Sequence, residues 1–194
     1  MNFLAHFVLA QSTDASRVGA LLGDFVCGTP ESLIGKFPDE VIKGIVLHRL
    51  IDRLTDDHPI FLDCKKWLRD DRRKFAGIVI DIFFDYFLTK HWERFGEGDL
   101  TKYIEDLYLL IERRADWLTP ELREIAPRMR AEDWLNSYCS IEGLGLTFRR
   151  MSRRRDFLAP IIGAEQDLKA HYQNFENAFL KFYPDLVETL KRES

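Results

Sequence analysis

The sequence predicts an all-α fold, a bundle of helices forming one domain over residues 1–194. Three observations lead there. Apolar residues recur at helical spacing, strict alternation is scarce, and Gly and Pro cluster where helices must begin or end. A chain of 194 residues, 46% hydrophobic and 31% charged, is long enough for one real core and short for two.

The elements follow in order. A first helix is expected over residues 2–11 and a second over 16–27, stopped by Gly28-Thr29-Pro30. Pro38-Asp39-Glu40 opens a third, with proline in the first turn and acids at the positive end, running to 56. A short helix follows over 61–68. The segment 72–95 is apolar almost all round and is expected at the buried centre. Further helices are expected over 100–117, 120–125, 132–150 and 166–182. In the last, Leu168, Tyr172, Phe175, Phe179 and Phe182 form one apolar stripe suited to core packing.

Composition excludes several classes. The net charge is -4, so no overall basic field exists to hold nucleic acid. Cys27, Cys64 and Cys139 are widely spaced and form neither a CxxC pair nor a disulfide framework, which fits a reducing cytoplasm. No signal peptide or membrane span is read at the start, where Asp14 and Arg17 soon interrupt the apolar run.

Function is sought in polar residues on apolar faces. At roughly 100° per residue, Val41, Ile45, His48 and Asp52 share one stripe of the third helix. A core-facing carboxylate costs several kcal/mol unless something positive meets it. A divalent cation would satisfy both groups; a local His-Asp hydrogen bond, or pairing with Arg49 or Arg53, is the alternative. The central segment repeats the anomaly: Asp81 and Asp85 share a face, with no Lys or Arg in the run around them. Two such carboxylates repel unless they share a proton or a cation. His6 and Asp24 also sit in apolar stretches, and Gly19 and Gly23 permit close helix approach beside Asp24. Together, His6, Asp24, His48, Asp52, Asp81 and Asp85 form an oxygen-rich set from four helices, suited to Mn²⁺, Mg²⁺ or Fe²⁺ rather than structural Zn²⁺. The Glu-x-x-His motif of di-iron bundles is absent.

Ordered phrases carry a resemblance over essentially the whole chain: Met1-Asn2-Phe3-Leu4-Ala5-His6, Gly23-Asp24-Phe25-Val26, Leu47-His48-Arg49-Leu50-Ile51-Asp52, Leu54-Thr55-Asp56, Asp81-Ile82-Phe83-Phe84-Asp85-Tyr86-Phe87-Leu88, Lys90-His91-Trp92, Met151-Ser152-Arg153-Arg154 and Phe182-Tyr183-Pro184. The chain resembles the bacterial acyl carrier protein phosphodiesterases. The resemblance implies a distorted HD-type helical fold. It also implies Mn²⁺-dependent hydrolysis of holo-acyl carrier protein to the apo form and 4′-phosphopantetheine. The family often shows Asp-His-Phe-Leu where this chain has Asp85-Tyr86-Phe87-Leu88. The missing histidine can remove a partner behind the ligands or a phosphate contact.

On this reading Asp24, His48, Asp52 and Asp81 are the best ligands and the catalytic set, with His6 and Asp85 beside or behind them. Arg49 is a candidate phosphate contact. The run Arg149-Arg150-Met151-Ser152-Arg153-Arg154-Arg155 places Arg149, Arg150, Arg153 and Arg154 as candidate contacts to an acidic carrier protein, with Arg72 and Arg73 on the same surface. A nucleotide phosphohydrolase using the same metal site, and a carrier-protein binding module without turnover, are the rival readings.

Overall fold

A computed structural model describes residues 1–193. Among these there are twelve α-helices and no strands. They are α1 (Phe3–Leu9), α2 (Asp14–Leu22), α3 (Pro30–Leu33), α4 (Asp39–Asp56), α5 (Pro59–Cys64), α6 (Ala76–Lys90), α7 (Trp92–Phe95), α8 (Leu100–Arg113), α9 (Pro120–Ala131), α10 (Ile141–Arg154), α11 (Glu165–Ala170) and α12 (Tyr172–Glu193). Short 3₁₀ turns join several of them. No described helix is long and apolar enough to cross a membrane.

The apolar run of α6 is buried on nearly every side, as expected, and packs against α1, α10 and α12. Phe83 and Phe84 meet Phe175, Phe179 and Phe182 of α12 edge-on or tilted. Helices α2 and α4 make the most intimate contact in the fold. Their backbones touch at Gly19 and Gly44, where a Cβ on Gly19 would lie 2.3 Å from the Val41 carbonyl oxygen.

Several expected boundaries move, each for a local reason. The second helix stops at Leu22, because the Phe25 N–H turns back to the Leu22 carbonyl. The central segment divides into a 3₁₀ turn at Asp70–Phe75, then α6 and α7. The helix expected over 132–150 instead starts at Ile141, where the Ser140 side chain caps the Gly143 N–H. Before it the chain passes through Asp133 at φ 48 and a 3₁₀ turn at Asn136–Cys139. Helix α9 runs through Pro127 to Ala131 instead of stopping at 125. The last stripe spans two helices, α11 and α12, with a break at His171.

Arg72 was expected on a basic surface, but it is buried. Its guanidinium bonds both Asp167 oxygens and donates to the Pro160 and Ile162 carbonyls. It therefore fastens the loop 156–163 to the core. Arg73 forms an exposed pair with Asp70.

Candidate metal and phosphate site

Two helices bring the candidate metal-ligating groups together. His48 lies on the buried stripe of α4, and Asp52 follows one turn later. His6 comes from α1. The imidazoles of His6 and His48 stack with centroids 3.8 Å apart and planes 15° apart. Each ring addresses one oxygen of Asp52: His6 Nε2 lies 3.1 Å from Oδ1, and His48 Nε2 lies 3.0 Å from Oδ2. His6, His48 and Asp52 are the group that can hold a metal ion, their ligand atoms lying within 4.8 Å of one another.

Local structure sets this geometry. The His48 Nδ1–H donates to the Ala20 carbonyl at 2.7 Å, which turns Nε2 toward Asp52 and, at 3.5 Å, Asp24. Asp24 reaches that position because the chain turns at Gly23. A Cβ there would overlap the His48 ring. The expected close approach at Gly19 and Gly23 is thus present at both glycines.

Asp85 stands behind the ligands. Its carboxylate accepts the backbone N–H groups of Asn2, Leu4 and Ala5, capping α1 from a neighbouring helix. Asp81 accepts the Met1 ammonium at 2.7 Å and borders the cavity. The Met1 carbonyl lies 3.0 Å from His6 Nε2.

The electrostatics favour a cation. Burial opposes a charge on His48, but its bonds to Asp24 and Asp52 outweigh that and raise it to about 9. His6, more deeply buried, is lowered to about 4. Burial likewise opposes ionisation of Asp52, yet the two histidines hold it well below the usual carboxylate range. Burial lifts Asp81 to about 6, against the Met1 ammonium. It lifts Asp85 to about 7, against the same ammonium and the Leu4 N–H. The positive charges among these carboxylates are the Met1 ammonium and the charged form of His48. A divalent cation would take the place of the His48 Nε2 proton, the Nδ1 proton being held by Ala20. The second ring atom fixing the ligand tautomer is the usual arrangement behind a metal-bound histidine. The donor set fits a divalent cation.

Asp52 of this group borders a cavity of about 860 Å³, whereas His6 and His48 do not line it. Asp24, Asp56, Asp81 and Glu121 border it too. Ile78, Ile82, Trp134 and Phe157 supply apolar wall, and Arg150, Arg154 and Arg155 line it as well. The structure therefore divides the arginine run: all of its arginines but Arg150 are exposed, and Arg149 and Arg153 do not border the cavity. Arg49 does not border it either. Its guanidinium, expected at a phosphate, donates to the carbonyls of Gly28 and Val26 at 2.7 and 2.8 Å and fastens that loop. Tyr86 faces α12, its hydroxyl 3.3 Å from that of Tyr172, so the departure at this position lies away from the cavity.

The profile of the family described as acyl carrier protein phosphodiesterase matches residues 1–186. The chain belongs to that family. Relatives named acyl carrier protein phosphodiesterase share its full length. The one from Pectobacterium atrosepticum is 33% identical over 194 residues, covering 100% of this chain and 99% of the relative. That from an Escherichia coli strain is 34% identical over 198 positions, covering both chains entirely. That from Photorhabdus laumondii is 33% identical over 189 residues, 97% of this chain and 94% of the relative. No solved structure matches the chain.

Sequence reasoning missed three members of this phosphodiesterase-family site. Asp56 continues the 48–52 stripe by one more turn and was legible there. Trp134 has no such signal, since the segment around it was read as helix. The Met1 backbone carries no side-chain pattern at all.

Proposed function

We propose that the chain hydrolyses the phosphodiester joining 4′-phosphopantetheine to a serine of holo-acyl carrier protein, giving the apo protein and 4′-phosphopantetheine. The convergence of His6 and His48 on Asp52, which borders a cavity with arginines on its wall, carries this reading, together with the relatives' shared name. His6, His48 and Asp52 hold the metal, with Asp24 and Asp81 on either side and Asp85 fixing α1 behind His6. When bound, a divalent cation, here assigned as Mn²⁺ with Mg²⁺ or Fe²⁺ as alternatives, makes water a nucleophile near neutral pH and offsets phosphate charge. Asp52 and the Ala20 carbonyl orient the two imidazoles, and the cavity wall keeps the phosphate beside them. The water oxygen joins phosphorus, and the serine oxygen leaves with a proton. Arg149 and Arg153, exposed at the same helix end, meet the acidic surface of the carrier.

The test is loss of phosphopantetheine from holo-acyl carrier protein by mass, with Mn²⁺ and with EDTA. Turnover should require the metal, and Asp52→Ala should abolish it in a protein that remains folded by circular dichroism. Wild-type rate and metal dependence in both Asp52→Ala and Asp81→Ala would overturn the site. Complex formation without hydrolysis would favour a binding module, and turnover of nucleotides alone a nucleotide phosphohydrolase.

A further inference from the structure

We propose that Arg154, laid against the face of Trp134, is the anion-binding group of the cavity and grips the phosphate of the substrate arm. The inference rests on the phosphodiesterase reading for the identity of that arm.

The arginine is placed by a chain of contacts. Glu132 accepts the Trp134 indole N–H at 3.0 Å and also bonds Arg128 at 2.7 Å and Arg150 at 3.1 Å. Trp134 is buried, so its ring plane is fixed. The Arg154 guanidinium carbon sits 4.2 Å from the ring centroid. Stacking of this kind immobilises a guanidinium while leaving its N–H edge free to meet two oxygens of a phosphate.

Its electrostatic situation is unlike that of Arg150, the other arginine of α10 on the cavity wall. Arg150 is already paired with Glu132. Among the described residues no carboxylate lies within ion-pair distance of Arg154. Burial, and then Arg128 nearby, disfavour its charge, while Glu132 and Glu121 favour it from beyond ion-pair distance. An exposed cation stacked on an indole and bordering the cavity, with no carboxylate bound to it, is suited to a ligand that brings the anion. Arg155, next along the wall, adds positive potential. In this arrangement Trp134 is a positioning residue and Arg153, outside the cavity, takes no part.

Calorimetric titration with carrier-free 4′-phosphopantetheine, in the presence of Mn²⁺, tests this, with pantetheine lacking phosphate as the reference. Arg154→Ala should weaken the phosphate ester about tenfold or more, the worth of one charge-assisted hydrogen-bonded contact, and leave pantetheine unchanged. Trp134→Leu should weaken the ester while Arg154 is still present. Arg154→Lys should fall between, and Arg153→Ala should match wild type. Three outcomes would overturn the proposal: no saturable binding of the ester by wild type, equal binding by wild type and Arg154→Ala, or a loss confined to holo-acyl carrier protein, which would assign Arg154 to the carrier's carboxylates. Because binding is read directly, an inactive wild type would refute the hydrolase reading without deciding this one.

Discussion

Replacing Gly23 by alanine tests how far the metal group depends on the turn after α2. The new Cβ would lie 2.1 Å from His48 Cγ, 2.2 Å from Cδ2 and 2.6 Å from Nδ1. Non-bonded carbons prefer separations of about 3.5–4.0 Å, so ring or backbone must yield by about 1 Å or more. The ring has little room to retreat. His6 is stacked on its face at 3.8 Å, and its Nδ1 is tied to Ala20. Gly23 itself has φ -51 and ψ -39, so alanine suits its backbone and would on that ground stabilise by about 0.4–1 kcal/mol. Any loss therefore comes from the overlap, for which overpacking costs about 1–3 kcal/mol. The net is a destabilisation of about 1–2 kcal/mol, or roughly 2–8 °C in melting temperature for a chain of this size. Moving the imidazole also loosens the ligand, and such displacements cost about 10–100-fold in metal affinity. Scanning calorimetry and Mn²⁺ titration read the two effects. Gly77→Ala is the control, because its Cβ meets nothing within 4 Å. If Gly23→Ala melts at or above wild type and binds Mn²⁺ equally well, the contact between Gly23 and His48 does not organise the site.

Other expectations follow from the same geometry. In EDTA, His48, raised to about 9, contributes stability that is fully present below its unfolded value of about 6.5 and lost as pH rises through 9. The unfolding free-energy gap between wild type and His48→Gln should therefore shrink over that interval; a gap that widens with pH would refute the assignment. His6, lowered to about 4, acts oppositely, its contribution being present above about 6.5 and lost as pH falls toward 4. Arg72→Met leaves Asp167 charged and buried, so urea unfolding should show a loss of about 3–5 kcal/mol, most of it recovered by also changing Asp167→Leu. A loss under about 1 kcal/mol would show that the pair does not clamp the loop 156–163. Cys27 is exposed and should react at once with a disulfide reagent, whereas Cys64, buried and pushed up to about 12, should react only on unfolding.

The helical class, the buried central segment and the inward groups of α1, α4 and α6 were legible because periodicity exposes a polar residue on an apolar face. His48 and Asp52 are the clearest case: one stripe, four residues apart, meeting the same neighbour. Periodicity does not show which inward carboxylate reaches the cluster and which caps a backbone, so Asp85 and Asp81 differ in the structure but not in the sequence pattern. Nor does it show which way a basic residue turns. Arg49 is beside His48 in the chain yet points to the loop at 26–28, and Arg72 is drawn inward by Asp167, 95 residues away. The Trp134 platform was hidden because Asp133 leaves the helical region, which ends the periodicity on which the expectation of a helix depended.

The cavity keeps opposite charges apart, and neutral hydrogen bonds account for how. Left free to move, Arg154 and Arg155 would gain by collapsing onto Asp24, Asp52, Asp56 or Asp81. No such pair forms among the described residues. The two walls are instead spaced through Tyr138. Its hydroxyl accepts the Asn2 side-chain amide at 3.0 Å, and its carbonyl accepts the Thr89 hydroxyl at 3.1 Å. Asn2 also gives its backbone N–H to Asp85, so one residue registers the helix carrying His6 against both α6 and the segment carrying Trp134. Arg72 holds the far side of the basic wall through Pro160 and Ile162. Charges held open in this way retain their potential for a cation and for the anionic phosphate it must meet in the same cavity.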